Sequence, residues 1–258
     1  MSCTPARVLA ACALCAAALL TEAACTTGQS GRAVHAPAPV ATRPPGPAAA
    51  APAAALTQDQ AQAAMLTEAD LGTAWAPTQG AATWRDGMLK AQADTPECGR
   101  LLDALYTEEP FGAPSGAHAV AAYDNGDDEA QLRHQVLALR APDVDRTLTW
   151  LRTMPQTCRG FTATATNSDV LDVRVADLAL PNAGDARQGL RLTLTAESFE
   201  EDTLTTLTLD LATVRVGDDA IVLTTGALGT PPEDTTARAV QRGVDRLTEV
   251  HRKARAKT

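Results

Sequence analysis

Apolar and polar positions alternate with two different periods along this chain, and the change of period separates its elements. Leu171, Val173 and Val175 alternate with polar residues, as do Leu190, Leu192, Leu194 and Ala196, and then Leu207, Leu209 and Leu211. A period of two sends every second side chain to one face. These are therefore antiparallel strands with one buried face and one threonine-rich wet face. The alternation slips by one residue between Leu211 and Val214, which predicts a β-bulge near residues 212 and 213. Residues 216–220 turn into a last strand over 221–224. Earlier, residues 117–123 read as a strand, Asn125-Gly126 as a hairpin turn, and residues 131–140 as the returning partner.

Helical spacing takes over elsewhere. Thr57 with Gln60, and Thr67 with Asp70, have the form of two capping boxes. Pro96-Glu97-Cys98 begins a helix with Cys98, Leu101, Leu102 and Leu105 on one face. Asp143 is placed to cap another, with Val144, Leu148 and Leu151 inward and Pro155 at its end. Residues 231–234 open a terminal helix whose stripe is Val240, Val244, Leu247 and Val250. The order helices, hairpin, helix, meander, helix predicts a single α+β domain, an antiparallel sheet covered on one face by helices. Gly-rich phosphate loops and long βαβ alternation are missing, which argues against a Rossmann-type sheet.

The N-terminal part follows other rules. Arg7 precedes an apolar run over residues 8–20, followed by Thr21-Glu22-Ala23-Ala24-Cys25. This is the pattern of a secretory signal peptide, too short to span a membrane as a helix. Cys25 after two alanines resembles a bacterial lipobox, the site of lipid attachment, although Glu22 stands where an apolar residue is usual. Cleavage near Ala24 without lipid is the alternative. Residues 26–55 are rich in Ala, Pro, Gly, Ser and Thr and cannot bury enough apolar surface to offset their ordering entropy. The expected organisation is a signal peptide over 1–24, a disordered tether over 25–55 and a folded domain over 56–258.

Cysteine usage fits that address. Of six cysteines, Cys3, Cys12 and Cys15 leave with the leader. With Cys25 carrying lipid, Cys98 and Cys158 remain and can pair in an oxidising compartment. A metal pair is the competing reading, but CxxC spacing and partner ligands are absent. Composition narrows the partners. The net charge of −9 argues against general nucleic-acid binding, which requires a basic surface. Aromatics make up only 3%, so the core must be aliphatic, with Trp75, Trp84 and Trp150 core or half-buried.

The segment Leu66-Thr67-Glu68-Ala69-Asp70-Leu71 with Trp75 just after it resembles the opening of PknH-like extracellular sensor domains. So do the Cys98-led helix, the helix ending at Cys158 before Gly160-Phe161, and the Val214-Arg215-Val216-Gly217 hairpin with its terminal helix. The resemblance covers roughly residues 56 to 252. It implies a sheet wrapped by helices with a cleft for an extracellular signal molecule, here as a stand-alone actinobacterial lipoprotein with no kinase domain attached. The kinase sensors carry two disulfides where this domain can make one, and no binding residues transfer.

Candidate chemistry is sparse. Residues 112–116, Gly-Ala-Pro-Ser-Gly, lack the GxSxG order, and nothing places an orienting carboxylate against His118. A three-residue turn over 125–127 would set His118 opposite His134 as a possible ion-binding or pH-sensitive pair, whereas a two-residue turn would send His134 to the other face. The acidic groups at 124–129, 197–202 and 218–219 fall at strand ends without EF-hand spacing and read as solvated turns. The terminal helix is locally basic, which suits either an anionic surface or its own helix dipole. The expectation is a surface-anchored, non-enzymatic lipoprotein without cofactor or metal. Its partners would be the cell membrane, through an N-terminal lipid, and an unknown extracellular small molecule or envelope fragment. The alternative is an envelope interaction or scaffold module without a solute pocket.

Overall fold

The computed structural model describes residues 55–80, 84–114, 116–126, 129–198 and 203–256. Cys25, the leader and nearly all of the tether lie outside them, as do Ser115, Phe199 and the acidic residues 127, 128 and 200–202. The two N-terminal caps form as their spacing predicts. Thr57 N–H donates to Gln60 Oε1 at 2.8 Å and starts α1 (Gln58–Ala63), and Thr67 N–H donates to Asp70 Oδ2 at 2.8 Å and starts α2 (Glu68–Leu71). Then come β1 (Trp75–Pro77), a π-helical turn (Arg85–Leu89), β2 (Ala91–Ala93) and α3 (Pro96–Thr107). The hairpin β3 (His118–Asn125) and β4 (Ala130–Leu137) leads into α4 (Ala141–Thr157). Five strands follow: β5 (Gly160–Ala165), β6 (Val170–Asp177), β7 (Ala186–Ser198), β8 (Thr203–Val216) and β9 (Asp219–Leu228). The chain closes on α5 (Thr235–Arg255).

All nine strands join one antiparallel sheet in the order β1-β3-β4-β9-β8-β7-β6-β5-β2. The protein is thus a single α+β domain. One face of the sheet is covered by α3 and α4, whose Leu101, Leu102, Leu105, Leu151 and Met154 pack on Leu190, Leu192, Leu194, Leu207, Leu209 and Leu211. On the other face, β5 and β6 expose every second residue and stay uncovered. Where β3, β4, β9 and β8 form the sheet, that second face also carries helices. Val240, Val244 and Leu247 of α5, with α1, pack there on Leu132, Val136, Ala212, Val214, Ile221 and Leu223. Each such Val or Leu withdrawn from water contributes about 1.5–3 kcal/mol.

This double cover explains the slipped alternation around residues 212 and 213. No bulge is present: β8 pairs without interruption from Ser198↔Thr203 to Ala186↔Arg215 with β7, and from Leu207↔Leu228 to Val216↔Asp219 with β9. Leu207, Leu209 and Leu211 face the α3/α4 side, and Ala212, Val214 and Val216 face the α5 side. The change of parity marks where the second layer begins rather than a kink in the strand.

Helix α4 also differs from expectation. It begins at Ala141, with Pro142 in its first turn and Arg140 as the extended flanking residue, because proline's fixed φ suits that position. Asp143 lies inside the first turn and accepts from Arg140 Nε and Arg146 Nη2, each at 2.8 Å. Pro155 sits within the last turn rather than ending the helix. The acidic turns are knitted in rather than simply solvated. Asp218 accepts from Ala141 N–H at 3.2 Å, and Asp219, buried, lies 2.8 Å from His251.

A candidate site on the polar face of the first hairpin

The β3–β4 pairing sets four rows, His118↔Leu137, Val120↔Gln135, Ala122↔Arg133 and Asp124↔Gln131, on the sheet face shared with Leu209 and Val222. On β6, β7 and β8 the centre of that face is aliphatic and covered by α3 and α4. On the hairpin it carries a strip of hydrogen-bonding side chains, and the π-helical turn with the C-terminal end of α3 lies over Gln131 and Arg133. The turn between the strands spans four residues, so neither register foreseen for the histidines occurs. His134 is opposite Ala121 and points to the α5 side, while His118 points to the polar strip. The two imidazoles cannot share an ion.

At one end of the strip, Asp124 ties down the segment after β1. It accepts from Thr78 Oγ1 at 2.6 Å and Gln131 Nε2 at 2.8 Å. At the other end, His118 Nε2 lies 3.1 Å from Gln135 Oε1, and Gln135 Nε2 donates to the Glu108 carbonyl at 2.9 Å. The Gln58 side chain bonds both the N–H and the C=O of His118, joining α1 to the same network.

Glu108 is the centre. It ends α3 in the left-handed conformation, φ 59°, which directs its side chain onto the sheet. Its carboxylate is 6% exposed and contacts two guanidiniums, Arg85 from the π-helical turn and Arg133 from β4; Arg85 also donates to the Tyr106 carbonyl. Burial pushes the Glu108 carboxyl above its usual value, against the pull of Arg133 and Arg85. Burial likewise lowers Arg133, with Glu108 opposing. Two cations around one anion leave an excess positive charge. Arg133 remains 32% exposed, so that charge reaches solvent. An enclosed cavity of about 10 Å³, the size of one water, lies between Trp84, Leu105, Glu108, Gln131 and Arg133. The Trp84 ring roofs it by lying directly on Gly226, where a Cβ would come within 2.5 Å of the indole.

The remaining predicted residues fall elsewhere. Cys98 and Cys158 form a disulfide, Cα atoms 5.6 Å apart, that ties the first turn of α3 to the end of α4. Trp75 and Trp84 are buried. Trp150 is half-buried, donates to Glu97 at 2.8 Å and carries Arg100 over its ring at 4.3 Å. Sequence reasoning did not find Arg85, Glu108 or Arg133. The available signal was polar residues at both faces of β4, where one face should have been apolar.

No family model matches the chain, and no curated protein matches it. Among solved structures it is similar to the extracellular domain of PknH from Mycobacterium tuberculosis, at 13% identity and a TM-score of 0.48, over 76% of this chain and 99% of that one. Among the described residues no helix is long and apolar enough to cross a membrane.

Proposed function

We propose that this protein is an exported, lipid-anchored, non-catalytic domain that binds a small extracellular solute or envelope fragment bearing a carboxylate or phosphate. The observation that carries this reading is the excess charge at Glu108. Two guanidiniums share one buried carboxylate on the polar strip, and an anionic group on a ligand would complete the balance at Arg133, which stays partly exposed. The non-catalytic part is supported by the histidines. His118 is engaged with Gln135, His134 with the Leu66 N–H and His251 with Asp219, so each described imidazole already holds a structural contact. The address is supported by the leader pattern ending at Cys25 and by the Cys98–Cys158 bond, which suits an oxidising compartment.

The test is a thermal-shift screen of the full, oxidised chain against carboxylated and phosphorylated sugars, envelope fragments and their neutral counterparts. Ligand at a hundred times its Kd adds about 2.7 kcal/mol to stability. Anionic compounds should raise the melting temperature dose-dependently, and Arg133→Gln should abolish the rise. No shift with anionic compounds, or an equal shift in Arg133→Gln, would refute the site. Incorporation of a labelled acyl chain that disappears in Cys25→Ser checks the anchor separately.

A further inference from the structure

The opposite end of the sheet presents a different surface. β2 is its terminal strand, and among the described residues its only strand partner is β5, on one side of its backbone. Asp94 N–H donates to the Thr162 carbonyl at 2.9 Å, and Ala165 N–H turns to Asp169 across the β5–β6 hairpin. The bonded positions are therefore Gln92 with Thr164 and Asp94 with Thr162, in register with Ala91↔Ala165 and Ala93↔Ala163. In an antiparallel ladder the intervening residues direct both backbone groups the other way. Ala91 and Ala93 thus aim their N–H and C=O groups at the free edge. The other terminal strand, β1, ends in Pro77, which blunts an edge by removing a donor. β2 carries no proline.

A groove of about 880 Å³ runs along that edge. Every residue from Lys90 to Asp94 lines it, so the strand's backbone forms one wall. The other wall is a single stripe of α3, with Pro96, Gly99, Arg100, Asp103 and Tyr106 at helical spacing. The Cys98–Cys158 bond holds that stripe in place from behind, and Arg100 is fixed over Trp150. A groove between a helix and an unpaired strand edge is the geometry in which an extended segment adds a strand to a sheet.

We propose that β2 and α3 form a docking groove for an extended polypeptide segment of a partner protein, which pairs its backbone with Ala91 and Ala93. The small Ala91 and Ala93 put no long side chain beside the strand edge, and Gly99 lets α3 sit close against Ala93. Arg100 and Asp103 present one charge of each sign to its side chains, so polar segments fit better than apolar ones. This surface is separate from the Glu108 strip and does not depend on the solute reading.

Heptapeptides displayed on phage, panned against the full oxidised chain and then synthesised, test it. Enriched peptides should lose about tenfold in affinity for Ala93→Pro, which removes one outward N–H. N-methylation along the peptide should weaken binding at alternate residues only, the signature of one-sided strand pairing. This second measurement decides the matter if Ala93→Pro fails to fold. The proposal is overturned by a panning that enriches nothing, by undiminished binding to folded Ala93→Pro, or by a methylation profile without alternation. Equally fatal is a concentration-dependent dimer of the chain that Ala93→Pro abolishes, since the edge would then belong to a second copy.

Discussion

Lowering the pH from 7 to 4.5 is expected to cost this protein about 2.7 kcal/mol of folding stability through His134 alone. The ring is fully buried on β4, beneath α5. Its Nδ1 accepts the Leu66 N–H at 3.2 Å, so the neutral ring carries its proton on Nε2. That atom has no hydrogen-bond partner among the described residues, and it lies 3.1 Å from where a Cβ on Gly243 would stand. Burial, with help from Arg246 and against Asp70, holds the imidazole down to about 3 from an ordinary 6.5. The folded pKa is therefore depressed, and between those two values the unfolded chain binds the extra proton. Stability is full above pH 6.5 and falls by about 1.4 kcal/mol per unit as pH drops towards 3. Burial raises the neighbouring Asp70 carboxyl, but hydrogen bonds from Thr67 and the Arg246 charge outweigh it and keep the group below its usual value. Asp70 thus stays ionised between pH 7 and 4.5. The assay is urea unfolding at pH 7 and 4.5 of the wild type and of His134→Asn, whose side-chain oxygen can still accept the Leu66 N–H but does not titrate. Other groups, Glu108 among them, contribute equally to both proteins and cancel. The wild type should lose about 2.7 kcal/mol more than the variant. An equal loss in both would refute the argument that this ring is buried neutral.

Reduction of Cys98–Cys158, which closes a loop across a sequence separation of 60, should lower stability by about 4 kcal/mol on the chain-entropy account. Denaturant melts with and without reductant measure this, and mass mapping of alkylated thiols should find both cysteines protected in the unreduced native chain. Glu108→Gln leaves Arg85 and Arg133 facing each other without their shared anion. It should cost about 3–5 kcal/mol in chemical unfolding. Gly226→Ala drives a methyl to within 2.5 Å of the Trp84 ring. About 1–3 kcal/mol should be lost, with a red-shifted tryptophan emission as the ring is displaced.

Much of this architecture could be read from residue spacing because the signals were local. The caps at Thr57 and Thr67 need only residues three apart, and they form as expected. The stripe of α5 repeats over enough turns to leave no other reading. Strands β1, β2 and β5 were not foreseen. The first two are three residues long, too short for a period, and β5 alternates threonine with alanine, whose small side chain gives weak contrast. β8 misled for a different reason. Its slip of parity looks the same in sequence whether a bulge intervenes or a second layer begins, and only the position of α5 distinguishes them. The candidate site was illegible for a related reason: Arg85, Glu108 and Arg133 come from three separate elements, and no fixed spacing announces a cluster assembled across a sheet.

The two surfaces lie towards opposite ends of the strand order, yet they share one element. The C-terminal end of α3 supplies Glu108 to the polar strip, and one stripe of the same helix, from Pro96 to Tyr106, walls the β2 groove. The disulfide fixes the start of that helix to α4, while its end is held by charge-assisted contacts that a competing anion could rearrange. A ligand that draws Arg133 away from Glu108 therefore acts on one end of a helix whose other end is pinned. Any effect on the groove must be returned in kind, because a peptide that strengthens the solute's binding is strengthened by it to the same degree. Thermal shifts with both ligands present decide whether α3 transmits anything: a sum of the separate shifts makes the helix a rigid strut, and a departure from additivity makes it the link between them.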